Sequence, residues 1–449
     1  MSTALVILAA GKGTRMESDL PKVLHKIGGA PLLHHAMLSA SALEPEHTIV
    51  VTGHGAEQVE TAAQDFDADA IAVRQEEQLG TAHAVTQAES ALDGFEGDVV
   101  VLYGDTPFIT TETLEQMIAA RSSYDVVVLG FEAADPGRYG RLVMKGSALT
   151  RIVEFKDATE AEREVTLCNS GVVCVGKDLL FDLLRAVGNE NAAGEYYLPD
   201  IVGIANARGL KATAVTCDEA ETLGINSRIE LASAEALFQQ SKRRALIEDG
   251  VMMQAPDTVF LSYDTIIGRD AEIEPNVIFA PGVTVESGAR IRAFSHLEGA
   301  HVSRGATVGP FARLRPGAEL SEHVHIGNFV EIKNASIEEG AKVNHLSYVG
   351  DAEVGARTNI GAGTITCNYD GVMKHKTTIG RDSFIGSNTM LIAPVTVGNE
   401  AMTATATVVT KDVPDGAMAI SRAEQNNKPG FARKLFSMLR AKKAKKAKG

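Results

Sequence analysis

IGRDAEIEPNVIFAPGVTVESGARIRAFSHL, residues 267–297, carries an apolar residue at every sixth position: Ile267, Ile273, Phe279, Val285, Ile291 and Leu297. The row continues through Val302, Val308, Leu314, Leu320, Ile326 and Ile332, then resumes at Ile379, Ile385, Leu391 and Val397. Six is neither the period of a helix nor the alternation of an ordinary strand. It marks a parallel β-helix, in which each unit supplies one short strand and one turn. The repeated apolar residues are assigned to its core. The phase slips by one at Leu297/Val302, Ile332/Ile337 and Val349/Val354, and an insertion over 366–377 separates Ile360 from Ile379. Such insertions become loops on one face of a solenoid, and this one is rich in polar donors.

Upstream the pattern changes. Short aliphatic strands over 4–8, 48–52, 99–102, 125–131 and 172–175 alternate with helical segments such as 31–42 and 111–121, the signature of an α/β layered sheet. Residues 227–249 read as one helix ending at Gly250. With 449 residues the chain exceeds one core. The expected plan is an α/β domain over 1–226, a linker helix over 227–250, a β-helix over 251–430 and a basic, disordered tail over 431–449. A formal net charge of −15 argues against nucleic-acid binding. The tail is the exception, with no acid among its cations, and reads as a solvated segment or a contact for an unidentified acidic partner. Cys168, Cys174, Cys217 and Cys367 lack metal-site or redox spacing, which suits a reduced cytoplasmic protein. No stretch approaches a membrane span.

The first strand runs into Leu8-Ala9-Ala10-Gly11-Lys12-Gly13-Thr14-Arg15-Met16, followed by Pro21-Lys22-Val23-Leu24. A glycine-rich loop leaving a strand presents backbone N–H groups to phosphate oxygens. It is not a Walker loop, and Met16 occupies the third glycine position of the dinucleotide fingerprint. A plain tight turn is the competing reading. Arg15 and Lys22 add the charge that phosphoryl transfer uses. A second strand delivers Tyr103-Gly104-Asp105 to its carboxyl end, where open α/β sheets bind ligands. Asp105 there suits Mg²⁺, against the alternative of a turn-capping aspartate.

These stretches resemble the sugar-1-phosphate nucleotidyltransferases. Gln75, Leu79-Gly80-Thr81-Ala82, Tyr139-Gly140-Arg141, Glu154, Asn169-Ser170-Gly171 and Glu195-Tyr196-Tyr197-Leu198 follow in that family's order. With the six-residue repeat, the whole chain up to the tail is similar to the bifunctional bacterial enzymes that make UDP-N-acetylglucosamine. The resemblance implies a Rossmann-like mixed sheet followed by a left-handed β-helix, and a homotrimer acting on small molecules without integral membrane contact. It implies that Leu8, Ala9, Ala10, Gly11, Lys22, Gln75, Gly80, Thr81, Tyr103 and Gly104 hold the nucleotide. Gly140, Glu154 and Asn169 would bind the sugar, Asp105 and Asn226 would ligate Mg²⁺, and Arg15 would stabilise the transition state.

In the irregular middle of the repeat, His345 follows Val343 by two and so leaves the core row. A lone histidine is more often a surface residue than a base. Cations and amides in the same coils favour chemistry. The resemblance implies that His345 is the general base for acetyl transfer from acetyl-CoA to glucosamine-1-phosphate, with Glu331 a weak candidate to orient it. Arg315, Lys333, Tyr348, Asn359, Asn368 and Tyr369 would hold the amino sugar phosphate, and Ala362, Ser387, Thr405 and Arg422 the CoA. Cys367 need not be a nucleophile. One departure stands out: Thr405-Ala406 replaces the Ala-Gly pair that the family implies near CoA. Two rival readings remain, a monofunctional nucleotidyltransferase with a purely oligomerising β-helix and a non-catalytic assembly subunit.

Overall fold

All six residues of the first strand, Thr3–Leu8, are buried, as befits a strand covered on both faces. Ala4, Val6 and Leu8 enter one apolar cluster, while Leu5 and Ile7 enter another on the opposite face. The computed structural model describes residues 2–447. Its first unit runs to Arg244 and includes Leu261–Tyr263. The central sheet has the order Ala212–Cys217, Val126–Glu132, Leu167–Gly176, Asp98–Tyr103, Thr3–Leu8, His47–Thr52, Ile71–Arg74. Leu167–Gly176 is antiparallel to both neighbours, and the other pairs along this path are parallel. The mixed α/β sheet is the one the resemblance implied. Arg141–Lys145 and Ala148–Val153 form a hairpin that escaped the sequence reading, because half-exposed strands lack a continuous apolar run.

The second unit comprises Ala245–Phe260 and the chain from Asp264. Its strands stack in parallel on themselves, forming the left-handed β-helix. One coil is three six-residue units, so that Arg290 pairs with Glu272 eighteen residues earlier. Every residue of the predicted row from Ile267 to Ile332 is buried. A second inward position lies two residues earlier, held by Ala271, Val277, Val283 and Ala289. It was less legible because small residues suit turns as well as cores. The coil with the insertion is longer, with Arg357 reaching Asp382 across 25 residues.

The corners need left-handed backbone, which glycine and asparagine supply at little cost. Phe294, Phe311, Phe329, Leu346 and Ala406 also adopt it, with φ between 49° and 61°. The three phenylalanine rings stack at 4.9 and 5.3 Å in an exposed column.

Arg228–Glu248 is a single helix, as the sequence indicated. Its Ala234 packs with Ile27, Leu32 and Ile225 of the first unit. The tail corrects an expectation. Phe431–Lys446 is helical rather than disordered, although every residue in it is exposed. Its alanines, lysines, arginines and leucines are strong helix formers, so charge repulsion does not prevent the helix.

Candidate functional site

The strands Thr3–Leu8 and Asp98–Tyr103 are parallel neighbours, so both deliver their carboxyl ends to one edge. The Gly104 amide donates to Leu8 O at 3.0 Å, and Gln78 donates to Ala10 O at 2.7 Å. A cavity of about 360 Å³ opens there, lined by Leu8, Ala9, Ala10, Gly11, Lys22, Gln75, Gly80, Thr81, Tyr103 and Asp105. Gly80 is required by contact as well as conformation. Its φ is 122°, and a Cβ would meet Tyr196 O at 2.5 Å. Gly104 sits behind the wall, where a Cβ would lie 3.2 Å from Val23. Glu195, quoted above within Glu195-Tyr196-Tyr197-Leu198 without a role, also lines the cavity, as does Gln78, which was missed. Nothing in the sequence around Gln78 distinguishes it from a surface residue.

Lys22, Asp105 and Asn226 converge from three separate parts of the chain. The Lys22 ammonium is paired with Asp105 and donates to Asn226 Oδ1 at 3.0 Å. Two hard oxygens, one carboxylate and one amide carbonyl, are thus already turned toward one cation. That donor set fits Mg²⁺, which takes few protein oxygens and completes its shell from phosphates and water. Among the described residues no cluster of three or more His, Cys, Asp or Glu offers an all-protein metal cage. Arg15 does not line the cavity. It is exposed on the Thr14–Met16 turn, just after Gly13, where an added Cβ would meet the Lys22 side chain at 2.6 Å.

The sugar-binding candidates Gly140, Glu154 and Asn169 form a second group. Asn169 N donates to Gly140 O at 2.8 Å, and a Cβ on Gly140 would lie 3.1 Å from Glu154 Oε1. Glu154 lines a space of about 470 Å³ with Arg138, Phe155, Lys156 and Tyr197. Burial raises the Glu154 pKa, and the nearby Asp157 and Asp200 carboxylates add to the shift. Burial likewise raises the Tyr103 phenol, with a further contribution from Asp105.

In the β-helix, register places His345, Ala362, Ser387 and Thr405 in one column. Their rungs are paired through Val343↔Ile360, Ile360↔Ile385 and Ile385↔Thr403, and each named residue follows its rung residue by two. Successive corner bonds continue the column: Gly363 N to His345 O, Asn388 N to Ala362 O, and Ala406 N to Ser387 O, at 3.2, 2.7 and 2.8 Å. Ala406 holds φ 61° where glycine would be unstrained. Arg422 lies exposed beyond the last rung, outside this column.

The next face holds the amino-sugar candidates. Tyr348 leans along it over Gly350, where a Cβ would lie 2.3 Å from the phenol oxygen. Asn368 reaches that oxygen at 3.3 Å and also bonds Asp351. Arg315 pairs with Glu331 at 2.8 Å. Glu331 is therefore engaged away from His345, whose Nδ1 lies 3.1 Å from Asn328 Oδ1. The sequence reading missed Asn328, which is one coil earlier in the column. Lys333 and Lys374 face each other, and this crowding lowers the Lys374 pKa. Lys374 was part of the unassigned insertion. Tyr369 is exposed, its hydroxyl donating to Gly371 O at 2.5 Å. Asn359, on the adjacent strand, pairs with Lys342 at the start of the strand that His345 ends and with Phe384 on its other side, so its register is three residues from the base.

Comparison with known proteins bears on both units. Residues 5–195 match the MobA-like NTP transferase domain, and residues 264–299 match the bacterial transferase hexapeptide, six repeats. The chain is 69% identical to the bifunctional protein GlmU of Ruegeria sp. (strain TM1040), with 100% of each chain covered. The chain belongs to the bifunctional GlmU family. The same-named proteins of Ruegeria pomeroyi and Jannaschia sp. (strain CCS1) are 68% and 63% identical, covering 100% and 99% of this chain and 100% and 98% of theirs. It is a bifunctional transferase, with the uridylyltransferase and N-acetyltransferase activities that together make UDP-N-acetylglucosamine. This agrees with the sequence resemblance and sets aside both rival readings.

Proposed function

We propose a division of labour among the residues of the two reactions. Asn328 Oδ1 accepts a hydrogen bond from Nδ1–H of His345, which leaves Nε2 as the base. The 2-amino nitrogen of glucosamine-1-phosphate attacks the thioester carbon of acetyl-CoA while Nε2 accepts the amine proton. The C–N bond forms, the C–S bond breaks, and the proton passes on to the departing thiolate. Arg315, Lys333 and Lys374 hold the sugar's phosphate, while Tyr348, Asn368 and Tyr369 hold its hydroxyls. Ala362, Ser387 and Thr405 border the CoA path above the base, with Arg422 as a further contact. The observation that carries this reading is the single column linking Asn328, His345, Ala362, Ser387 and Thr405.

In the α/β unit, the phosphate oxygen of N-acetylglucosamine-1-phosphate attacks the α-phosphorus of UTP, and pyrophosphate leaves. Leu8 to Gly11, Gln75, Gly80, Thr81 and Tyr103 hold the nucleotide, with Gly104 setting the backbone behind them. Gly140, Glu154 and Asn169 hold the sugar. Arg15 and Lys22 carry charge toward the reacting phosphates. Asp105 and Asn226 would hold Mg²⁺, which when bound neutralises charge on phosphate oxygens.

The active form in this reading is a homotrimer. The exposed phenylalanine column supports self-association. The register of Asn359 opposite Lys342, three residues short of His345, supports a site completed by a neighbouring copy's Asn359. The four unpaired cysteines suit a reducing cytoplasm, where nucleotide and thioester substrates are made. Among the described residues no helix is long and apolar enough to cross a membrane.

The deciding experiment is His345→Ala. CoA release should be lost while pyrophosphate release from UTP and N-acetylglucosamine-1-phosphate persists. Retained acetylation would remove His345 as the base.

A further inference from the structure

The helix Phe431–Lys446 belongs to neither reaction. Its first turns carry Phe431, Leu435, Met438 and Leu439 at the spacing of one helical face, with Phe436 at its edge. These five side chains are between 40% and 61% exposed. The same helix holds seven lysines and arginines and no acid, in a chain of net charge −15. An exposed apolar stripe joined to concentrated positive charge is the pattern of a helix that lies in a membrane interface.

We infer that Phe431–Lys446 docks on an anionic lipid surface, its apolar stripe among the acyl chains and its cations at the headgroup phosphates. The last turns favour lipid over a protein groove. Lys442 follows Leu435 by seven residues and Lys446 follows Leu439 by seven, so both continue the apolar stripe. A protein groove shaped for the leucines would have to desolvate these ammonium groups. At a lipid surface the lysine stems run along the apolar region while the charges reach outward to phosphate. Nucleic acid would neutralise the cations but leave the phenylalanines and leucines in water. The acidic body does not cancel the local attraction, because charges beyond about 8–10 Å are screened at physiological salt. The apolar part spans little more than two turns, too short to insert across a bilayer. The contact is therefore peripheral and reversible.

The test uses the full chain in sedimentation with vesicles. Phosphatidylglycerol mixed into phosphatidylcholine should retain the protein about tenfold or more strongly than phosphatidylcholine alone, and high salt should release it. Leu435→Ser combined with Leu439→Ser should weaken retention about tenfold. Lys442→Gln, Lys443→Gln, Lys445→Gln and Lys446→Gln together should do the same. Both catalytic rates in vesicle-free buffer should stay unchanged in each variant. Equal retention on neutral vesicles, or none on anionic ones, would overturn the proposal. So would a change of oligomeric state in the leucine variant, which would assign the stripe to a second copy of the chain. Binding to duplex DNA as tight as to anionic vesicles and indifferent to the leucines would assign the cations to nucleic acid.

Discussion

Replacing Asp105 by Asn keeps the side chain's shape and removes one charge from the point where Lys22 and Asn226 meet. The Lys22 and Asp105 side chains are only 13% and 18% exposed, so the loss is felt structurally. Breaking a fully buried ion pair costs roughly 3–5 kcal/mol. Here Asn226 Oδ1 still accepts from Lys22 at 3.0 Å, and the new amide oxygen remains an acceptor. A cost of about 1–3 kcal/mol is the better figure, after discounting for that remaining bond and partial solvation. A domain with roughly 5–15 kcal/mol of stability survives that loss. Catalysis should not. Losing the carboxylate aimed at the cation position should lower uridylyl transfer by about two to three orders of magnitude, comparable with removal of a single preorganised electrostatic group. The assay is pyrophosphate release across a Mg²⁺ titration, with CoA release measured on the same preparation. The second activity serves as an internal control for folding. Pyrophosphate release within about threefold of the parent at every Mg²⁺ concentration would refute the assignment, since so small a change is under 1 kcal/mol.

Asn328→Ala should lower acetylation about fivefold, as expected for one neutral hydrogen bond near 1 kcal/mol, and leave uridylyl transfer unchanged; unchanged CoA release would show that the imidazole needs no such partner. Lys374→Gln should raise KM for glucosamine-1-phosphate about tenfold, the low end for a charge-assisted contact, with little change in KM for acetyl-CoA. An unchanged KM would remove it from the phosphate site. Glu154 has a raised pKa, first from burial and then from Asp157 and Asp200. Its stabilising contribution is therefore present below the unfolded glutamate value and is lost as pH rises through the folded one. Glu154→Gln should raise the thermal midpoint at neutral pH but not near pH 4, where the parent carboxyl is already protonated. Equal gains at both pH values would refute the electrostatic cause.

Much of the site was legible because its groups are local. The loop from Leu8 to Gly11, the glycine before Thr81 and the aspartate after Tyr103 each sit beside a strand end or helix start that the pattern places. The misses share a different cause. Asn328 and Glu331 both lie one coil before His345, and spacing alone cannot rank them. Three residues turn a side chain away from the corner, and Arg315 takes the carboxylate. Lys374 lies within an insertion whose path has no period to read. Its meeting with Lys333 depends on how the loop folds back.

The tail shows the same division from the other side. Its charge was plain in the sequence, but a run of like charges was read as disorder. Alanine, leucine and lysine propensities instead produce a continuous helix, and its exposed stripe appears only once that helix forms.

The sequence by itself determined the two folds, because a six-residue apolar period and a series of buried aliphatic strands each leave few ways to bury themselves. It pointed to the two chemistries through the family resemblance that motifs beside those strands carry. Tertiary structure alone decided which distant groups meet: Lys22 with Asp105 and Asn226, His345 with Asn328, and the base with the column above it. Those meetings depend on sheet order and coil register, which bring together residues from 17 to more than 200 positions apart.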